Sequence, residues 1–339
     1  MKDLDSELSI RELGEQGLLK RLQAFCPADL VGDDAAVLTT QPGKSLVVTT
    51  DVLVNGVHFS DRTTRPEDAG WRAAAANLSD LAAMGATPIG ITVGLGVPGD
   101  LAIAWVERLY QGLTDCLSQY NTVIVGGDVV RSPVTTVAIT AFGQADPNQL
   151  IRRAAAQPGQ AIVVTGMHGA SRAGLELLLH PDQGIDLTPS DRAALIRAHQ
   201  RPIPRLDVLP FLFPIPDDTR HLTPFAGMDS SDGLADAVLQ ICRASGVGAQ
   251  IDRHQIPIPA ALSKWVGAEQ AMKWALYGGE DFELVLCLPM DLAVRLVDQL
   301  DQSAMIGITT LQPDVWLVDS SHTYPDEQLS FEQGFQHFD

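Results

Sequence analysis

The sequence predicts a two-domain α/β protein, and three observations lead to this fold class. The chain has 339 residues, which suits two domains of about 150 residues each. Apolar runs of strand length alternate with amphipathic segments of helical spacing, as in α/β folds. The composition, with 45% hydrophobic and 19% charged residues, is that of an ordinary globular protein and excludes a disordered or collagen-like chain.

The first half of the chain predicts helices and strands in alternation. Residues 8–25 have apolar side chains at helical spacing, and the run 45–54 follows a turn signal and predicts a strand. The clearest helix is 66–85, because Pro66 suits a first helical turn and Gly85 suits the end of a helix. We then expect a strand, a helix and two further strands, at 89–95, 100–120, 122–130 and 135–143.

The pattern starts again after the turn signal at 146–148, where we place a domain boundary. The two predicted domains are therefore 1–146 and 147–339. The second one opens with a strand at 161–166 and a glycine-rich turn. The proline-punctuated segment 187–216 predicts a connection across the surface. A helix after Asp232 and a strand at 283–288 complete the pattern.

The charge balance is strongly acidic. The chain has 23 Lys and Arg against 42 Asp and Glu, a net charge of −19. Nucleic acids and anionic lipid surfaces would be repelled by such a surface, so neither is an expected partner. Anionic substrates would have to arrive together with cations.

Cysteine usage and the first residues predict the compartment. The four cysteines are scattered and form no CxxC pair, which indicates reduced thiols rather than disulfides or a zinc site. The charged N-terminus is not followed by an apolar run, so no signal peptide is predicted. The longest apolar stretch is far too short to span a bilayer. We expect a soluble, cytoplasmic protein.

Acidic residues recur beside glycines and small residues, at strand ends or on an alanine-rich helix. These clusters lie at 32–36, 49–51, 77–80, 126–128, 229–233 and 278–281. Asp80 lies close to the apolar stripe of its helix, where an unpaired carboxylate would be costly. Any one cluster could be a turn or a helix cap. Six of them, with no matching Lys or Arg nearby, favour a shared site for several hard cations such as Mg²⁺.

The motifs that the chain lacks narrow the chemistry. There is no GxxxxGK[ST] loop, no HRD or DFG set, no HExxH and no GxSxG elbow. Gly94, Gly96 and Gly99 match the dinucleotide pattern GxGxxG after a strand. Pro98 stiffens that turn, and Asp115, at about the expected acidic spacing, falls inside a predicted helix. A dinucleotide site is therefore not predicted here.

The acidic clusters resemble those of the thiamine-monophosphate kinase family, part of the aminoimidazole ribonucleotide synthetase-like superfamily. The resemblance runs from about residue 8 to the C-terminus and rests on these motifs, in order: VGDDAAVL, TTDVLVNGVHF, NLSDLAAMGA, VGGDVVRSP, MDSSDGLADAV and GGEDFELV. It implies two α/β domains, a homodimer in which the N-terminal sheet pairs with that of a second subunit, and ATP in the cleft. The implied reaction transfers the γ-phosphoryl group of ATP to thiamine monophosphate, which gives thiamine diphosphate.

The resemblance also assigns roles to individual residues. The implied Mg²⁺ ligands are Asp34, Thr49, Thr50, Asp51, Asp80, Asp128, Asp229 and Asp232. The implied ATP contacts are Tyr110, Gly127, Asp128, Arg153 and Ser231, and the implied thiamine contacts are His58, Glu280 and Phe331. Phe331 stands where the family commonly has a tryptophan. No protein nucleophile is expected, because the acceptor phosphate is itself anionic and metal ions would offset the repulsion between donor and acceptor.

Other interpretations remain open at this stage. His58 could be a buried structural histidine, Arg153 a solvated surface charge and Glu280 a strand cap. Within the superfamily, the chain could be a synthetase that resembles the aminoimidazole ribonucleotide enzyme. Selenophosphate synthetase and the hydrogenase maturation protein are disfavoured, because their reactive N-terminal and C-terminal cysteines are missing. A non-catalytic Ca²⁺-binding protein is a further alternative, although EF-hand spacing is absent.

Overall fold

The computed structural model describes residues 8–27, 30, 35–213 and 225–334. The chain divides into two compact units. The first comprises Met1–Leu81 and Ala86–Pro147, and the second comprises Ala82–Gly85 and Asn148–Asp339.

The first unit contains a four-stranded mixed sheet. Its strands are β1 (Ser45–Val54), β2 (Thr87–Val97), β3 (Ile124–Arg131) and β4 (Thr136–Ala145), in the order β1-β4-β2-β3. β4 pairs antiparallel with β1 and β2, whereas β2 and β3 are parallel. Burial alternates along β1, so one face of this strand is covered and the other open. Leu46, Val48 and Val52 lie on the open face, each about half exposed.

The helices of the first unit are α1 (Ile10–Leu13), α2 (Glu15–Leu22), α3 (Pro66–Ala83) and α4 (Ile103–Ser118). The single helix predicted at 8–25 is divided at Gly14, whose φ of 76° lies in the left-handed region and interrupts the helix. α3 and α4 cross closely at two glycines. A Cβ at Gly70 would overlap the Leu109 carbonyl oxygen, and one at Gly112 would overlap that of Glu67.

The second unit is built on a seven-stranded sheet in the order β11-β10-β7-β9-β5-β8-β6. Its strands are β5 (Ala161–Val164), β6 (Ala226–Asp229), β7 (Gly248–Asp252), β8 (Leu284–Leu288), β9 (Ala304–Thr310), β10 (Val315–Val318) and β11 (Glu327–Gln328). The inner strands β5 and β8 and the edge strand β6 are buried along their whole length. Continuous apolar runs fit such positions, because both faces of these strands are covered.

Helices cover this second sheet and complete its core. They are α5 (Ala170–Leu179), α6 (Pro189–Gln200), α7 (Leu209–Leu212), α8 (Leu234–Ser245), α9 (Ala260–Val266), α10 (Ala268–Tyr277) and α11 (Met290–Gln299). Val238 and Ile241 of α8 belong to the core cluster formed with β5 and β8. Leu296 of α11 belongs to a second cluster with Val163 and Leu286.

The expected surface connection at 187–216 is wrong for most of its length. This segment contains α6 and α7, and Leu195, His199 and Val208 are buried. Its prolines do not prevent helices, because Pro189 occupies the first turn of α6, where Thr188 caps the helix. Residues 214–216 lie outside the described part of the chain.

Two further observations complete the description. Within the described ranges, no helix is both long and apolar enough to cross a membrane. All four cysteines, Cys26, Cys116, Cys242 and Cys287, are free thiols.

Candidate functional site

The acidic positions of the first unit begin on β1 and α3. Thr49 and Asp51 share one face of β1, because side chains alternate along a strand. The Thr49 hydroxyl donates a short hydrogen bond to the Asp80 carboxylate of α3. The Asp51 backbone N–H donates to Asn77 Oδ1 of the same helix at 3.2 Å. Three of the residues implied as metal ligands therefore lie between β1 and α3.

Thr50 lies on the other face of β1. Its Oγ1 is 2.9 Å from Oγ1 of Thr140, the residue opposite it on β4. One ion cannot therefore be held by the side chains of both Thr49 and Thr50. Asp34, the remaining residue of this set in the first half of the chain, lies outside the described residues.

Gly127 and Asp128 lie on β3, at the edge of the first sheet. A Cβ at Gly127 would overlap the Val93 carbonyl oxygen on β2, so only glycine lets the two strands approach as they do. Asp128 is exposed, and its Oδ1 accepts a hydrogen bond from the Val129 N–H at 2.9 Å. Its carboxylate is therefore accessible to a cation from solvent.

A cavity of about 890 Å³ adjoins these two residues within the first unit. Its lining combines apolar side chains, among them Leu22, Ile124 and Phe142, with Tyr110, Gly127 and Asp128. Tyr110 is buried beside Phe25, with 5.7 Å between the ring centroids, and burial raises the pKa of its phenol. Three of the implied ATP contacts therefore line one cavity, whose lining combines apolar side chains with the carboxylate of Asp128.

His58 follows directly after β1, in a tight turn. Its Nδ1 accepts a hydrogen bond from the Val54 N–H at 3.1 Å, and its own N–H donates to the Val54 carbonyl at 3.0 Å. Because Nδ1 supplies a lone pair to that bond, a neutral ring carries its proton on Nε2. The turn thus sets both the orientation and the tautomer of this half-buried histidine.

In the second unit, Asp229 is the last residue of β6, and the loop that follows carries Ser231 and Asp232. Asp229 is buried, and its Oδ1 accepts a hydrogen bond from the Ser231 hydroxyl at 3.1 Å. Asp232 is exposed. Gly233 then leads into α8 with a φ of 113°, and a Cβ there would approach the Leu276 carbonyl oxygen to 2.7 Å. A glycine is therefore required where this acidic loop turns into the helix.

Arg153 lies beside α8. Its Nη1 donates to Gln240 Oε1 at 2.6 Å, and Gln240 Nε2 donates in turn to Asp236 Oδ2 at 2.5 Å. The Ser245 hydroxyl donates to the Arg153 carbonyl at 2.8 Å. The Gln240 amide thus lies between the Arg153 guanidinium and Asp236, the acidic residue of α8. Asp236 is joined to the guanidinium through Gln240 rather than by a direct ion pair.

Glu280 is held against the same acidic loop. Its backbone N–H donates to the Ser231 carbonyl at 2.7 Å. Glu280 and Phe282 have φ values of 60° and 55°, a region that costs about 1–3 kcal/mol for residues other than glycine. An implied thiamine contact and an implied ATP contact are therefore adjacent within the second unit.

Asp281, between these two strained residues, is anchored to α5. Its Oδ2 accepts from the Gly169 N–H at 2.7 Å and its Oδ1 from the Ser171 N–H at 2.9 Å. Burial raises the pKa of this carboxyl group to about 7, although the two N–H donors act in the opposite direction. Asp281 belongs to an acidic cluster visible in the sequence, but nothing there indicates that it holds a helix.

Phe331 lies in a short 3₁₀ turn near the end of the described chain. Its ring is 39% exposed, and the Arg243 guanidinium lies 5.6 Å from the ring centroid. One face of the ring is therefore supported by a cation from α8, at a distance typical of cation–π contacts.

The sequence predicted the candidate acidic residues but not the residues whose side chains contact and orient the candidate site residues. Within the described ranges, no three His, Cys, Asp or Glu side chains form a metal-ligand group. Ser171, His199 and Gln240 carry no sequence signal, because each is an ordinary helix residue until its distant partner is known.

The comparisons with known proteins agree along the chain. Residues 32–145 match the family model described as AIR synthase related protein, N-terminal domain. Over 334 residues the chain is 54% identical to the curated thiamine-monophosphate kinase of Synechococcus elongatus, and the match covers 98% of this chain and 99% of the relative. The chain belongs to the thiamine-monophosphate kinase family. The resemblance inferred from the acidic motifs is thereby confirmed.

Solved structures of thiamine-monophosphate kinases have the same fold. The enzyme from Stenotrophomonas maltophilia K279a superposes with a TM-score of 0.76 at 33% identity, covering 91% of this chain and 96% of that one. A structure described as AaThiL complexed with AMPPCP and TMP gives a TM-score of 0.71 at 30% identity, covering 95% of this chain and 98% of that one. The predicted α/β fold of the aminoimidazole ribonucleotide synthetase-like type is confirmed.

Proposed function

We propose that this chain is an enzyme that phosphorylates thiamine monophosphate, with ATP as donor, and yields thiamine diphosphate and ADP. The observation that carries the proposal is 54% identity to a thiamine-monophosphate kinase over nearly the whole of both chains. The AaThiL complex with AMPPCP and TMP supports it, since AMPPCP is a non-hydrolysable analogue of ATP. The sites proposed below rest on the geometry within each unit.

The nucleotide site of the first unit is the cavity lined by Tyr110, Gly127 and Asp128. Its apolar wall suits the flat faces of a base, and its volume of about 890 Å³ is within the range of small-molecule sites. Tyr110 is neutral at physiological pH, because burial raises the pKa of its phenol. In the second unit, Ser231 and Arg153 are the further ATP contacts, and Gln240 leaves the guanidinium of Arg153 able to meet a phosphate.

The Mg²⁺ ligands are the oxygen atoms of Asp34, Thr49, Thr50, Asp51, Asp80, Asp128, Asp229 and Asp232. A donor set of carboxylates and hydroxyls, with no thiol or imidazole, suits this hard cation. Thr49 and Asp80 already bring a hydroxyl and a carboxylate together. Proteins often hold Mg²⁺ by only one or two carboxylates, completed by phosphates and water. When bound, the ions would neutralise charge on the phosphoryl oxygens.

The chain itself supplies orientation rather than a nucleophile. The attacking atom is an oxygen of the acceptor phosphate, which is anionic at pH 7 and needs no general base. Asp128 and the β1–α3 acids fix where cations sit, and Arg153 adds a permanent positive charge. Positioning and charge compensation account for most of phosphoryl-transfer catalysis.

The proposed thiamine contacts are His58 in the first unit and Glu280 and Phe331 in the second. Thiamine carries a cationic thiazolium ring and an aminopyrimidine, so a carboxylate, a ring donor and an aromatic face match its chemistry. Glu280 retains a side chain that is 34% exposed, and the ring of Phe331 is 39% exposed. Phe331 therefore offers a smaller stacking surface than the tryptophan common in the family.

The two predicted domains divide this work. Domain 1–146 supplies the metal and nucleotide site and the dimer contact, and domain 147–339 completes the nucleotide and substrate site. The open face of β1, with the half-exposed Leu46, Val48 and Val52, is an apolar sheet surface suited to a second copy of this chain. Neither nucleic acid nor membrane is a partner, given the net charge of −19. The four free thiols fit a cytoplasmic enzyme.

The test is ADP release from ATP and Mg²⁺, measured with and without thiamine monophosphate, followed by identification of thiamine diphosphate. We expect ADP release to depend strictly on the thiamine ester and on Mg²⁺. Release without stimulation by the ester would reject thiamine monophosphate as the acceptor and favour a synthetase of the same superfamily. Ca²⁺ binding without any nucleotide turnover would indicate a metal-binding protein instead.

A further inference from the structure

Glu280 is held by an unusual local structure. Both Glu280 and Phe282 have left-handed backbone conformations, with φ of 60° and 55°. Such strain persists only where the surroundings determine the conformation strongly, and it occurs preferentially at functional sites. The residue between them, Asp281, provides this restraint, because both of its carboxylate oxygens accept N–H groups from residues 169 and 171 at the start of α5.

A buried histidine lies under the side chain of Glu280. His199 comes from the last turn of α6 and is only 2% exposed. Its Nδ1 lies 3.2 Å from Ser171 Oγ and 3.6 Å from Glu280 Oε2. The imidazole therefore contacts the same α5 serine whose backbone holds Asp281, and it faces the carboxylate that precedes Asp281 in the chain.

These contacts form a closed ring of four residues from three segments. Asp281 binds the Ser171 backbone, the Ser171 hydroxyl meets His199, His199 faces Glu280, and Glu280 is bonded covalently to Asp281. A free glutamate side chain loses rotamer entropy when it is ordered. A carboxylate ordered beforehand spares the ligand that cost.

We propose that His199 is a positioning residue that orients the Glu280 carboxylate for the thiamine moiety, with Ser171 orienting the imidazole. This inference rests on the proposed role of Glu280. His199 is buried and does not touch the substrate in this proposal. With its proton on Nδ1, the ring would attract Oε2 of Glu280, whose side chain is 34% exposed.

Substitutions at His199 separate positioning from packing. His199→Leu removes the ring nitrogens but retains an apolar side chain in a buried position. His199→Asn returns an amide group near the place of Nδ1. Ser171→Ala removes only the hydroxyl that meets the imidazole and leaves the backbone N–H on Asp281. Leu195→Ala, in the same helix and also buried, is the matched control for loosening of α6.

Steady-state kinetics of the full-length enzyme provide the first readout. We expect His199→Leu to raise the KM for thiamine monophosphate about 10-fold, the loss of about 1.4 kcal/mol of preorganisation, with the KM for ATP unchanged. His199→Asn should restore most of this loss, and Ser171→Ala should show a smaller increase. Equal increases in both KM values, or the same pattern in Leu195→Ala, would overturn the proposal. If His199→Leu does not fold, the two KM values of Ser171→Ala and His199→Asn still test the proposal.

A double-mutant cycle with Glu280→Gln gives the second readout. If His199 acts through Glu280, His199→Leu should have little further effect on the KM for thiamine monophosphate in the Glu280→Gln background. Additive effects on this KM would show that His199 acts independently of Glu280. They would overturn the positioning role of His199 but not the thiamine contact of Glu280. An unchanged KM in Glu280→Gln would reject the thiamine contact as well. A failure of the proposed kinase function is distinguishable from these outcomes, because thiamine monophosphate would then not stimulate ADP release by the wild-type enzyme.

Discussion

At the residue scale, Asp128 offers a direct test of the metal assignment. Its carboxylate is exposed and accepts a hydrogen bond from the neighbouring Val129 N–H. Asp128→Asn removes the charge without opening a cavity. We expect kcat to fall by roughly 100-fold or more, because charge stabilisation worth several kcal/mol is lost, while the thermal melting temperature stays unchanged.

The control for this substitution is Asp100→Asn, a change at another exposed aspartate of the first unit. It should leave both kcat and melting temperature unchanged. Wild-type activity in Asp128→Asn, measured at saturating Mg²⁺ and ATP, would remove Asp128 from the metal site.

Asp281 makes stability depend on pH. Burial raises the pKa of its carboxyl group from 3.8 to about 7, so the folded state binds its proton more tightly than the unfolded state. The resulting stabilisation is complete below pH 4 and is lost as the pH rises through 7. Asp281→Asn should be less stable at pH 5 by about 1–3 kcal/mol, because its amide NH₂ faces a backbone N–H. The difference from wild type should narrow by pH 8.

Urea denaturation at pH 5 and pH 8 measures both free energies of unfolding. Asp291→Asn, at a largely exposed aspartate of α11, is the control and should follow the wild type at both pH values. If the difference in the free energy of unfolding between Asp281→Asn and the wild type increased with pH, Asp281 would be held as a carboxylate, with its pKa lowered by the α5 N–H groups.

Candidate site residues could be predicted where a short sequence motif itself contains the residue types that the chemistry needs. Thr49, Asp51 and Asp80 occur in short acidic motifs, and the structure brings them together between β1 and α3. His199 lies 81 positions before Glu280 in the sequence, and its contact with the site depends on how α6 packs. A local sequence pattern cannot predict a contact between residues so far apart in the chain.

At the element scale, the crossing of α3 and α4 depends on two glycines. A Cβ at Gly112 would overlap the Glu67 carbonyl oxygen of the facing helix. We expect Gly112→Ala to lower the free energy of unfolding by about 3 kcal/mol, since the helices must separate to accept a methyl group. Urea denaturation followed by circular dichroism measures this loss.

Gln111→Ala is the neighbouring control for Gly112→Ala. Gln111 is exposed on α4, and its side-chain amide donates a hydrogen bond to Asp115 one turn later. Its loss should change the free energy of unfolding by less than about 0.5 kcal/mol. Similar losses in the two variants would contradict the close helix crossing.

Elements with strong periodicity were predicted well, and those interrupted by special residues were not. The predicted helix at 66–85 corresponds to α3, because its apolar stripe and Pro66 are local signals. The segment 187–216 was misinterpreted, because Pro189 and Pro210 lie in the first turns of helices rather than in a loop. Gly14 divides the first helix for a similar reason, since its conformation depends on contacts as well as on residue type.

At the scale of the whole molecule, the open face of β1 predicts a homodimer. Val48 is 52% exposed and Val52 is 47% exposed on this face. Burial of such a face by a second copy would remove apolar area from water. We expect the wild type to sediment as a dimer and Val48→Asp to sediment as a monomer, because a buried carboxylate without a partner is costly.

The matched control places the same charge on another exposed apolar residue. Leu311 is 77% exposed in the second unit, and Leu311→Asp should remain a dimer. A monomeric wild type, or a Val48→Asp variant that stays dimeric at micromolar concentration, would contradict the use of this face.

The sequence by itself determined the chemistry and most local elements of this protein. Acidic residues beside glycines were sufficient to predict a candidate cation site, and the resemblance of six ordered motifs was sufficient to predict the family, because these features depend on residue type and short spacing. The tertiary structure alone decided the strand orders, the burial of α6, and the ring of contacts that joins Ser171, His199, Glu280 and Asp281. Those features arise from packing between distant segments, where apolar burial and backbone hydrogen bonds select one arrangement among many that the local pattern permits.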